Sequence, residues 1–198
     1  MSTPGKAEIV NEAPLFEMPA VCYNRAMIDQ ETQIKMFDEY GTPPHVRRHC
    51  DAVTLAALRI GRALNAAGFG LDLELIEGAA RIHDVARTAE RHADAGAVFL
   101  IERGYPAEAE LVRGHMSHFF GKPEEADELD VLCLADRVVK EDRYVGIDER
   151  MAYLLAKPGV TPDLAEKIVR AMEFTKGYIA EIEKIIGVSF DDLLGQDE

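Results

Sequence analysis

Apolar residues recur every three or four positions along most of this chain, the period of an α-helix with one buried face. The clearest run lies between His45 and Ala67, where Val46, His49, Val53, Ala56, Ile60 and Leu64 fall on one stripe. Gly68-Phe69-Gly70 ends it, because glycine accepts the left-handed conformation that closes a helix. A second helix is predicted from Asp72 to Val85, with Leu75, Ile76, Ala79, Ala80 and Ile82 as its apolar content. A third runs from Ala93 to Arg103, and Pro106 opens a fourth that carries Leu111, Val112 and His115. Leu129 to Val139 reads as a buried helix and Asp148 to Ala156 as a shorter one. Thr161-Pro162 has the form of an N-cap followed by a first-turn proline, opening a helix toward Ile186. Its stripe of Ile168, Met172, Ile179, Ile182 and Ile186 either closes the bundle, the favoured reading, or meets a second copy in a homodimer. Ahead of these, a short helix is predicted from Asp29 to Tyr40, broken by Gly41-Thr42-Pro43-Pro44. Alternating runs are few, and no Asn-Gly or Asp-Gly turn occurs. The fold class predicted is therefore all-α, a compact multi-helix bundle. Residues 1–22, proline-rich and without periodicity, read as an N-terminal arm, and residues 23–198 as one helical domain. The acidic end FDDLLGQDE is expected to fray.

Composition narrows the function. With 198 residues, 47% of them hydrophobic and 29% charged, the chain can bury a core of its own. No apolar run is long enough to span a bilayer, so no membrane partner is expected. The first residues lack the apolar centre of a signal peptide, which makes the cytoplasm the expected location. A net charge of −14 argues against a nucleic-acid partner, since phosphate backbones are held by clustered Lys and Arg. It leaves room for a small phosphorylated ligand. Cys22, Cys50 and Cys133 form no C-x-x-C pair, so neither a zinc finger nor a disulfide framework is indicated.

The chemistry sits on the apolar stripes. All six histidines, His45, His49, His83, His92, His115 and His118, fall in the first two thirds of the chain. His49 follows Val46 by three and precedes Val53 by four, which is a core position. His83 follows Ile76 by seven and Ala79 by four, and Asp84 lies about 100° further around the axis. Asp136 follows Leu132 by four and precedes Val139 by three. A lone inward histidine is usually a satisfied core residue, and a lone buried aspartate is often paired with arginine, for which Arg81 and Arg137 are available. Two imidazoles and two carboxylates on three apolar stripes carry a large desolvation cost unless something satisfies them together. A divalent cation does so, and this donor set suits iron, manganese or zinc. His45, at a helix start, reads as peripheral.

The ordered set His49, His83-Asp84 and Asp136 resembles the HD-domain metal-dependent phosphohydrolases over roughly residues 43–142. "HVRRHCDAVTLAA" resembles the family's first helix, "AARIHDVAR" its His-Asp motif and "LCLADRVVKEDR" its last. Arg87 stands where that motif commonly has Lys. The resemblance implies a helical bundle around a central metal, with His49, His83, Asp84 and Asp136 as ligands and His83 and Asp84 as catalytic residues. Members with further histidines often hold two metals. His92 and His115 fall in the corresponding stretches, with His118 as an alternative to His115, and Asp84 would then bridge. One or two divalent transition metal ions, iron, manganese or similar, are thus expected as cofactor. "AERHADAGAVFLIERGYP" and "LVRGHMSHF" most resemble a branch that hydrolyses dinucleoside polyphosphates. The implied activity is hydrolysis of a nucleotide or other small phosphate ester by metal-activated water, with Arg87, Lys140 and Arg143 as candidates for holding phosphate. Two alternatives share the ligand pattern: a di-iron oxygenase and a non-catalytic metal-binding signalling module.

Overall fold

A computed structural model describes residues 27–195; the proposed arm at 1–22 and Cys22 lie outside the described residues. Helix α1, Gln30–Tyr40, starts where the Asp29 carboxylate accepts the Thr32 amide at 2.8 Å. It stops at Gly41, whose φ of 78° a side chain would resist. Pro44 opens α2, Pro44–Ala66, the central element of the fold. Its inward stripe of Val53, Ala57, Ile60 and Leu64 is fully buried. Asp72 caps α3, Leu73–Ile82, which lies against α2. Helices α4, His92–Ile101, and α5, Pro106–Gly114, form a packed pair beside them.

Helix α6, Glu128–Val138, begins with a reciprocal capping box between Asp127 and Asp130. It runs through the core, where Val131, Leu132, Leu134 and Ala135 are fully buried. Helices α7, Gly146–Leu155, and α8, Pro162–Ile186, pack on each other and on this centre. Met172, Ile179 and Ile182 of α8 face inward.

The structure departs from the periodicity in three places. First, α3 ends at Ile82 rather than Val85, and His83-Asp84 begin a run of turns. There Val85, Arg87 and Ala89 each donate to the carbonyl three residues back. Second, α6 ends at Val138, and a small antiparallel hairpin follows, pairing β1, Val139–Lys140, with β2, Arg143–Tyr144. Glu141 takes a φ of 57° in this turn, unusual for a residue with a side chain. No glycine marks the turn, which is why turn signals in the sequence did not reveal it. Third, residues Phe190–Leu194 of the acidic end form a helix, α9. Ser189 caps it, and Phe190 and Leu194, four apart, are buried in the core.

Candidate metal centre

Three imidazoles are anchored in the same way. His49 Nδ1 lies 2.8 Å from the Glu141 carbonyl, His83 Nδ1 2.9 Å from Ala80 O, and His115 Nδ1 2.6 Å from Val112 O. A carbonyl only accepts, so each Nδ1 carries the proton and donates it. A ring anchored in this way presents Nε2 as a bare lone pair whenever it is neutral. The three rings lie side by side, with centroids 5.4 Å apart for both His49–His83 and His83–His115. His92, at the first position of α4, extends the row at 5.6 Å from His115. The hairpin turn at Glu141 contributes directly, because its unusual backbone aims the carbonyl that fixes His49.

Two carboxylates face these lone pairs. Asp136 Oδ1 lies 3.0 Å from His49 Nε2 and 4.0 Å from His83 Nε2. Asp84 divides its oxygens: Oδ1 lies 3.3 Å from His92 Nε2 and 3.8 Å from His115 Nε2, while Oδ2 lies 3.9 Å from His83 Nε2. Two groups result, His49-His83-Asp136 and Asp84-His92-His115, each with its ligand atoms within 4.8 Å of one another.

A lone pair facing a carboxylate oxygen is repulsive unless a proton or a cation lies between them. The fold leaves two such atoms open: His83 Nε2 and Asp84 Oδ1 are buried with no hydrogen-bond partner. Backbone carbonyls on the far ring nitrogens are the outer-shell arrangement that orients metal-ligating histidines. On donor chemistry, geometry and unmet valence, the residues fit one or two divalent transition metal ions.

The electrostatics agree. Burial pushes His83 down to about 4, so its imidazole is neutral at physiological pH. Burial and the nearby Arg87 also lower His92. Burial alone would raise Asp84, but His115, His83 and Arg87 outweigh it and hold the carboxyl well below the usual range. Asp136 is held low in the same way, against its burial, by His49, His83 and Arg150. Both aspartates are thus anionic at neutral pH. His49 and His115 are raised, their burial being offset by hydrogen bonds to Asp136 and Asp84 respectively.

The centre opens on a cleft of about 420 Å³, lined by His49, Asp84, His115 and Asp136 together with cationic and apolar residues. Arg87 lies on its wall, with Nε 3.4 Å from Asp84 Oδ2. His45 stands exposed at its rim. His118 is elsewhere: it bonds to buried Asp130, which also accepts from Tyr178 at 3.2 Å. His115, not His118, is the histidine brought to Asp84.

Lys140 and Arg143, the other candidates for holding phosphate, do not line this cleft. The hairpin turns the chain away at Val139, so Lys140 pairs with Glu149 at 3.1 Å. Arg143 lines a second cavity beside Arg59 and Tyr144. Arg150 and Lys157 stand in the metal-side cleft instead. Arg150 was legible by the argument used for His49, since it follows Ile147 by three and precedes Leu154 by four. Lys157, after the end of α7, carried no such signal.

Comparison with known families agrees with this layout. Residues 46–140 match the HD domain family model, a span that holds His49, His83, Asp84, His92, His115 and Asp136. Neither curated proteins nor solved structures give a match. The ligand order, the helical frame and the family match agree in placing an HD domain at residues 46–140 of this chain.

Proposed function

We propose that the protein hydrolyses a phosphoester or phosphoanhydride of a small phosphorylated metabolite, a nucleotide being the favoured class. The observation that carries this reading is the division of Asp84 between two His/Asp groups around buried, unsatisfied atoms. His49, His83 and Asp136 would hold one ion, His92 and His115 a second, with Asp84 between them. When bound, such ions supply positive charge at the phosphoryl oxygens and lower the pKa of water, so that a nucleophile exists near neutral pH.

The chain's own residues do the rest. The carbonyls of Glu141, Ala80 and Val112 keep Nδ1 protonated and Nε2 aimed at the centre. Arg87 offers N–H donors beside Asp84, placed to bind phosphoryl oxygens and stabilise the charge that grows on them. Met116, Leu154 and Met172 give the cleft an apolar wall for the organic part of a substrate. The cationic wall favours a phosphate ester over dioxygen as the species bound.

Release of phosphate from p-nitrophenyl phosphate and a nucleotide panel tests the reading, with and without O₂. The expected result is turnover that is independent of O₂ and abolished in Asp84→Ala. Full activity in that variant would refute the mechanism, and turnover that requires O₂ would replace it with an oxygenase.

A further inference from the structure

The cleft holds a cationic group whose donors no described residue satisfies. The Arg150 side chain is only 15% exposed. Its Nη2 lies 3.8 Å from Asp136 Oδ1, too far for a hydrogen bond, and that oxygen already faces His49. Its Nε is buried without an acceptor. A guanidinium carries five N–H donors in a fixed fork, and among the described residues Arg150 finds no hydrogen-bond acceptor. Leaving such donors unmet is costly, so this placement calls for an acceptor beyond the described residues.

Lys157, half-buried in the turn after α7, forms no ion pair with any described carboxylate. Burial and the charges of Arg150 and Arg87 push its ammonium below the ordinary lysine range. Arg87, Arg150 and Lys157 line one cleft, where the Asp84 and Asp136 carboxylates face the histidines. The Tyr153 ring gathers two of these cations, with the Arg150 guanidinium 5.7 Å and the Lys157 ammonium 4.8 Å from its centroid. Lys140 approaches the same ring at 5.1 Å, but Glu149 neutralises it. Arg87 leans on Asp84 and can serve a phosphate at the centre, whereas Arg150 lies on the Asp136 side, with Lys157 sharing its aromatic surface.

We propose that Arg150 and Lys157 form a subsite for a second anionic group of the substrate, a phosphate or carboxylate carried next to the phosphate that is cleaved. The words "next to the phosphate that is cleaved" rest on the phosphohydrolase reading; the binding of a second anion by these two cations does not. Arg150 gives a planar fork that matches either oxyanion in a bidentate manner, and Lys157 adds a flexible point charge. The subsite makes the protein selective for doubly anionic substrates over simple monoesters.

The test is calorimetric binding of inorganic phosphate, methylenediphosphonate and phosphonoacetate to the full chain, with and without manganese. Wild type is compared with Arg150→Gln and Lys157→Met. Wild type is expected to bind methylenediphosphonate about tenfold or more tighter than phosphate, as a charge-assisted pair of contacts allows. Each variant should lose most of that preference while its affinity for phosphate stays within about threefold, because the first group is held elsewhere. Lys157 is on a surface turn, so Lys157→Met keeps the fold even if Arg150→Gln does not, as circular dichroism melting will report. A wild-type preference for phosphonoacetate as well extends the subsite to carboxylates; preference for the diphosphonate alone restricts it to phosphoryl groups. Equal binding of one-group and two-group ligands, or variants that bind like wild type, overturns the proposal. Failure of the chain to take up metal would instead remove the phosphohydrolase reading, and the same variants on the metal-free chain would still decide the subsite.

Discussion

Replacing Gly61 by alanine tests how closely α2 and α3 must approach to place His49 and His83 in one centre. A β-carbon at position 61 would meet Leu73 Cδ2 at 2.9 Å and Ile76 Cδ1 at 3.2 Å, with Val131 Cγ1 at 3.9 Å behind them. Ile76 is fully buried, so it has little room to yield. The substitution gains about 1 kcal/mol of helix propensity. It costs about 1–3 kcal/mol for inserting a methyl group into a packed contact. The net expectation is destabilisation by about 1 kcal/mol. Gly177→Ala is the control: Gly177 lies in α8 with nothing within 4 Å of the added atom. There only propensity acts, so stability should rise by about 0.5–1 kcal/mol. For a chain of this size 1 kcal/mol moves Tm by about 2–4 °C, so the two variants should differ by about 3–8 °C. Calorimetric melting of the metal-free proteins measures this. Leu73→Ala in the Gly61→Ala background should recover part of the loss, because the two side chains share one contact. A Gly61→Ala protein as stable as Gly177→Ala would refute the close packing of α2 on α3.

Two further predictions concern the polar interior. His118→Ala should leave metal content unchanged while destabilising the fold by about 1–3 kcal/mol, because it removes a partner of buried Asp130; loss of metal in this variant, read by elemental analysis, would contradict the placement of His118 outside the centre. In the metal-free protein the folded state holds the Asp84 and Asp136 carboxyls below their ordinary value of 3.8, so their contribution is present above that pH and is lost progressively as pH falls below it toward their folded-state values. Urea midpoints should therefore drop below about pH 4, and the Asp84→Asn/Asp136→Asn double variant should show a shallower drop; an identical slope would refute the assignment.

The helical frame was largely legible because burial imposes a 3.6-residue period, and α2, α6 and α8 keep it for many turns. His49 and Asp136 were legible for the same reason: each occupies an apolar position on a long stripe. His83 and Asp84 were found on a stripe that in the structure stops just before them. What escaped depended on backbone turns with no sequence signature. The hairpin around Glu141 uses a left-handed residue without glycine, and it both supplies the carbonyl that anchors His49 and carries Arg143 away from the cleft. Helix α9 was hidden by its acidic residues, although Phe190 and Leu194 had the spacing of a buried turn. Lys157 enters the cleft through tertiary folding of the chain after α7, which no local pattern encodes.

The central claim is that Asp84 joins two His/Asp groups into one metal centre. Elemental analysis of the purified, reconstituted protein, wild type beside Asp84→Ala, tests it most directly. The account predicts about two divalent transition metal ions per wild-type chain, one for each ligand group, with both lost in the variant. No bound metal in the wild type, or an unchanged metal content in Asp84→Ala, would contradict it.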